Sequence, residues 1–173
     1  STAQNAHIIS GGHDGRVVVW PAEWNPERSF DIAKLPSAIR CIHVARPGLL
    51  ALGRDDGMLS LVRYSDTEPE KARVEANWEH PLEDWSWINS LGRPASSMVA
   101  IAGAADAVFT GSWQREEVLR WDIETGTAPD VLPVRTFDRH VYGMEHNRGG
   151  VLTLEALDAT GTLIAVGRDC GSL

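Results

Sequence analysis

Residues Ile8 to Trp20 read IISGGHDGRVVVW. Two apolar runs rich in Val and Ile flank a short polar turn that closes on Asp14-Gly15. Runs of this length and composition suit β-strands, because branched side chains pack well on a pleated surface. Asp-Gly is a tight-turn dipeptide: glycine takes positive φ without a Cβ clash, and aspartate tolerates it. The stretch therefore reads as a β-hairpin.

The same phrase returns along the chain. Leu50 to Tyr64 reads LALGRDDGMLSLVRY, Val108 to Asp122 reads VFTGSWQREEVLRWD, and Leu163 to Leu173 reads LIAVGRDCGSL. Aligned on the turn glycines, the copies are 42 residues apart (Gly11 to Gly53), then 58 (Gly53 to Gly111), then 56 (Gly111 to Gly167). Upstream of each later hairpin lies an apolar run suited to an inner strand, at Ala38 to Val44, Ser97 to Ala102 and Val151 to Leu157. Candidate outer strands fall between repeats, at Arg28 to Ile32, Ala72 to Trp78 and Val131 to Phe137. Four strands per unit at a period near 40 to 45 residues is the pattern of propeller blades.

The chain resembles the WD40-repeat β-propeller family. The resemblance rests on His146, the run Val151 to Asp158, Gly161, Asp169 and Gly171 in the last unit. Trp121-Asp122 in the third unit and Ser10, Asp14 and Trp20 in the first carry it further. It implies an all-β fold of antiparallel four-stranded blades, with about three and a half blades present. The units fall at 1–27, 28–66, 67–127 and 128–173. In that family a His, a Ser or Thr, an Asp and a Trp tie one blade together by hydrogen bonds, so the resemblance gives structural roles to Ser10, Asp14, Trp20, Asp56, Thr110, Trp121, Asp122, His146 and Asp169. No unit keeps all four members. The second has Asp56 but Leu52 and Val62 at the Ser and Trp positions; the third has Thr110 and Trp121 without the Asp; the fourth has Cys170 where the Asp is expected.

A chain that opens on the second strand of a blade and stops where a third strand should begin supplies fewer than the roughly four to eight blades of a closed ring. Open edges attract other strands. A complementary propeller segment, a protein partner or another copy of the chain is therefore expected against them.

Composition narrows the function. The chain has 173 residues, 43% of them hydrophobic, which is enough to bury a substantial core. A net charge of −8, with arginines scattered singly, opposes nucleic-acid binding, which needs a concentrated basic face. The longest apolar stretch, Met98 to Phe109, is too short to span a bilayer. The start STAQNAH carries no basic region followed by an apolar core, so a soluble, cytoplasmic protein is expected. Cys41 and Cys170 are too few for a disulfide framework and lack C-x-x-C spacing.

Histidines 7, 13, 43, 80, 140 and 146 form no H-E-x-x-H and no zinc-type spacing, and nucleophile-elbow, P-loop and dinucleotide motifs are missing. No metal, cofactor or catalytic set is expected. Asp55, Asp56 and Asp169 fall at hairpins and read as turn residues. The segment NWEHPLEDWSWINSL, Asn77 to Leu91, departs most from the repeat and holds Trp78, Trp85 and Trp87. These either pack between blades or project as aromatic anchors for a partner. Trp24 and Trp113 offer the same choice. The sequence thus points to a non-enzymatic protein-interaction scaffold that binds through inter-blade loops. The alternative is a propeller enzyme, or the recruiting module of one, with acids and His80 and His140 converging at the central channel.

Overall fold

The computed structural model describes residues 7–21, 27, 29–65, 68, 71–79, 98–104, 106–112, 117–126, 129–133, 151–156 and 164–168. The regular elements within them are thirteen antiparallel strands in four sheets. The first sheet is β1 (His7–Gly11), β2 (Arg16–Pro21) and β3 (Phe30–Lys34), in that spatial order. The second runs β4 (Ile39–Arg46), β5 (Leu49–Arg54), β6 (Met58–Arg63) and β7 (Arg73–Glu79). The third runs β8 (Met98–Ala104), β9 (Ala107–Ser112), β10 (Glu117–Asp122) and β11 (Asp130–Pro133), and the fourth pairs β12 (Val151–Ala156) with β13 (Ile164–Arg168). Inner strands β4, β8 and β12 stand side by side, so the sheets follow one another as blades.

The sheets are offset by one strand from the sequence units. β3 lies in the unit 28–66 yet pairs with β2 of the first sheet, Val17 opposite Ala33 and Val18 opposite Asp31. The offset arises because each outer strand is read in sequence just before the inner strand of the next sheet, while hydrogen bonding joins it to the strand before it.

Strand β5 shows why the sequence folds this way. All six of its residues are buried, since a middle blade has a neighbour on each face. Leu50 and Leu52 enter the core shared with the first sheet, among Val17, Val19, Ile32 and Leu35. Leu49 and Ala51 enter the core shared with the third, among Ile101, Val108, Leu119 and Trp121. A strand covered on both faces reads as continuous apolar sequence rather than as an alternation. Each fully buried leucine contributes about 1.5–3 kcal/mol.

The first two hairpin turns are equivalent in detail. Gly15 and Gly57 have φ of 82° and 81°. Asp14 Oδ1 accepts from the Arg16 N–H at 3.1 Å, and Asp56 Oδ1 from the Met58 N–H at 3.2 Å. The Gly15 N–H donates to the Gly12 carbonyl, and the Gly57 N–H to the Arg54 carbonyl. The turn expected at Asp169 to Gly171 lies outside the described residues.

Trp78 and Trp121 make the seam between the second and third sheets. Their rings stack with centroids 5.6 Å apart and planes 4° from parallel. Gly126, at φ 59°, lets the turn after β10 lie against the Trp78 indole. On the same seam, Arg46 pairs with Glu124 at 3.0 Å.

Candidate interaction surface

One end of each sheet gathers the hairpin turns and the connections that lead to the next sheet. Met58, just past the second hairpin, is opposite Glu79, the last residue of β7. Ser112, just before the third hairpin, is opposite Met98, the first residue of β8. Glu117 faces Pro133, and Val151 faces Arg168, in the same sense. Connections 35–38, 80–97 and 134–150 therefore all leave from and return to this hairpin end.

The described part of this end is charged and internally matched. Arg40 donates to Asp55 at 2.7 Å, and the carboxylate holds the guanidinium above its ordinary pKa. Lys34 stands 3.8 Å from Asp14. The hydrogen bond from the Arg16 backbone holds the Asp14 carboxyl below its usual range. The main chain fixes the strip between sheets: Ile39 N–H donates to the Gly12 carbonyl at 3.0 Å and Asp55 N–H to Ala38 at 2.9 Å. At the first turn a Cβ on Gly15 would run into the Leu35 carbonyl.

Beneath the turns, side chains tie strands together. Trp20 Nε1 donates to Ser10 Oγ at 2.9 Å, and Trp121 Nε1 to Thr110 Oγ1 at 2.8 Å. These two pairs are the Ser/Thr and Trp members expected from the sequence. In the second sheet Leu52 and Val62 occupy those positions and are fully buried. A different tie appears there, one that sequence reading missed. Arg54, only 4% exposed, donates to Ser60 Oγ at 3.3 Å, to Asn77 Oδ1 at 3.5 Å and to Asp56. Ser60 in turn donates to Asn77 at 2.6 Å. Arg54 Nε has no partner among the described residues. The available signal was a pair of polar residues, Ser60 and Asn77, that stand directly opposite each other on β6 and β7.

The remaining sequence candidates divide plainly. Asp122 caps the turn after β10, accepting from the Glu124 and Thr125 N–H groups at 2.9 and 2.8 Å. Trp78 is half-buried in its stack on Trp121. Trp24, Trp85, Trp87, Trp113, His146 and Asp169, with His80 and His140, lie outside the described residues. Among the described residues no three His, Cys, Asp or Glu side chains gather as a metal site, and no helix is long and apolar enough to cross a membrane. Burial pushes the Cys41 thiol up to about 12, which leaves it un-ionised and unreactive at neutral pH.

The stacking of four antiparallel sheets with inner strands side by side has clear counterparts among solved structures. The WD40 β-propeller domain of Doa1 superposes with a TM-score of 0.63 at 14% identity, covering 99% of this chain and 46% of that one. The chain has a WD40-like propeller fold. The β-propeller domain of Myceliophteria thermophila Cps50 (Swd1) gives a TM-score of 0.61 at 14% identity, covering 95% of this chain and 48% of that one. This propeller segment thus spans about half the length of each of these structures. No family model and no curated protein matches the sequence.

Proposed function

We propose that this propeller segment is a non-enzymatic scaffold that binds protein partners at its hairpin end. One observation carries the reading: hairpin turns and inter-sheet connections leave a rigid frame at the same end of successive sheets. Loops held on a rigid scaffold are where such folds bind, because loop sequence can vary without disturbing the core. Trp85, Trp87 and Trp113 belong to connections that leave from that end and are proposed as aromatic anchors. Trp24 belongs to the connection between β2 and β3, which leaves from the opposite end and makes a second, smaller candidate. Trp78, given its stack on Trp121, is proposed to support the surface rather than to touch a partner.

Affinity capture with the 173-residue chain tests this. Capture from its source extract is compared with capture by a Trp85→Ser, Trp87→Ser, Trp113→Ser variant and by a Glu124→Lys variant at the other end. Specific partners should be lost with the first and kept with the second. The reverse pattern would move the binding surface to the far end. The enzymatic alternative draws on His80 and His140 and is favoured by no observation on the described residues.

A further inference from the structure

The chain holds two Asp-Gly pairs, Asp14-Gly15 and Asp56-Gly57. In such a pair the glycine nitrogen can attack the neighbouring carboxyl, because glycine puts no side chain in the way. Both turns bring the reacting atoms together. The hydrogen bond from the Arg16 N–H to Asp14 Oδ1 closes a ring around the Gly15 nitrogen, and so folds the carboxyl over the atom it would join. The bond from the Met58 N–H to Asp56 Oδ1 does the same over Gly57. A pair held in this way needs little further ordering to react.

The other carboxylate oxygen separates the two turns. Asp56 Oδ2 is held by Arg54, whose side chain is 5% exposed and also donates to Ser60 and Asn77. To react, Asp56 would have to leave a buried cation, which is costly. Asp14 Oδ2 faces Lys34, 3.8 Å away and 63% exposed, and a solvated pair at that separation restrains little. The Asp14 side chain is 56% exposed against 38% for Asp56.

We propose that Asp14-Gly15 is a site of spontaneous isomerisation to isoaspartate, and that the product frees the 35–38 connection from the first hairpin. The Gly15 nitrogen attacks Asp14 Cγ; the N–Cγ bond forms, and the amide proton and the carboxyl hydroxyl leave as water. Water then adds at the Asp14 main-chain carbonyl and breaks its bond to the Gly15 nitrogen. The chain now runs through Cγ, the α-carboxylate is set free, and the mass is unchanged. Because the Arg16 N–H also holds the Asp14 carboxyl below its usual range, the neutral acid that loses hydroxyl is scarce and conversion is slow.

The new linkage puts one more carbon into the main chain where there is no room for it. A Cβ on Gly15 would already stand 2.1 Å from the Leu35 carbonyl oxygen. The Gly15 carbonyl accepts from the Leu35 N–H at 2.9 Å and the Gly12 carbonyl from the Ile39 N–H at 3.0 Å. These two bonds latch the connection to the turn, and a lengthened turn cannot keep both. The conversion is independent of what binds at the hairpin end.

The test ages the whole 173-residue chain, folded, at neutral pH and body temperature for several weeks, and follows both turns by peptide mapping with isoaspartate-diagnostic fragmentation. Isoaspartate should accumulate at Asp14 roughly tenfold faster than at Asp56, the ratio to which one hydrogen bond to a charged group corresponds. In urea the two rates should converge. Asp14→Glu keeps the carboxylate but lengthens the ring that must close, and should abolish conversion there. Amide exchange at Leu35 and Ile39 should quicken in aged protein in proportion to its isoaspartate, and should be the same in fresh and aged Asp14→Glu. No isoaspartate at Asp14 in the folded chain, or as much at Asp56, overturns the assignment. A ratio that persists in urea traces the difference to sequence alone and overturns the part given to Arg54. Aged protein whose Leu35 and Ile39 amides exchange as slowly as before overturns the release.

Discussion

Trp121 and Arg54 do the same work with different chemistry. Trp121 is 2% exposed and spends its one N–H on Thr110, so it combines a large apolar area with a satisfied polar tip. Trp121→Ala should lower stability by on the order of 3–5 kcal/mol in chemical denaturation. A loss under about 1 kcal/mol would contradict its burial. Arg54→Ala should cost about 1–3 kcal/mol, less than removal of a deeply buried ion-pair partner, because Ser60 and Asn77 keep each other and Asp56 reaches solvent. The indole pairs were legible in the sequence because Ser10, Thr110, Trp20 and Trp121 stand at nearly fixed offsets from the turn glycines. The Arg54 tie was not, since no offset rule covers a cation that reaches across three strands. Leu52 and Val62 marked the second unit only as keeping Asp56 without the Ser and Trp members.

At the scale of strands, glycine and histidine govern how closely neighbours approach. A Cβ on Gly15 meets main chain that has nowhere to go, and its φ of 82° is already costly for other residues. A Cβ on Gly103 meets the end of the His43 ring, which can turn aside. Gly15→Ala should therefore destabilise more than Gly103→Ala, by about 1 kcal/mol or more in denaturant midpoint; equal losses would refute the assignment. Burial holds the His43 pKa below its ordinary value. The unfolded chain then takes up a proton near pH 6.5 while the folded chain resists it. Stability from this group is complete above about pH 6.5 and falls as the pH drops towards the folded value. The fall should be measurable between about pH 7.5 and 5 and should vanish in His43→Gln. The lowered pKa values of Asp14, Glu75 and Asp122 act in a different window, contributing above the carboxylate range and losing their effect in stronger acid. Strand positions were legible from apolar runs and turn glycines. The pairing of His43 with Gly103 was not, because the two are brought together by blade order alone.

For the whole molecule, coverage sets the gradient of stability. Repeat arrays hold together through contacts between neighbours, and the second sheet has an apolar core on each face. Amide exchange should be slowest in Leu49–Arg54 of β5 and markedly faster in His7–Gly11 of β1 and Asp130–Pro133 of β11. Similar rates across all three would mean that the sheets do not protect one another. The offset between sequence units and sheets has a consequence for how such a gene could grow or be divided. A cut at 27/28 strips β3 from its sheet and carries it away with its neighbour, whereas a cut within 35–38 leaves each sheet whole. A duplicated stretch that begins at residue 28 would bring a strand for the sheet before it and three for a sheet of its own. Every added copy would be laced to its predecessor from the outset.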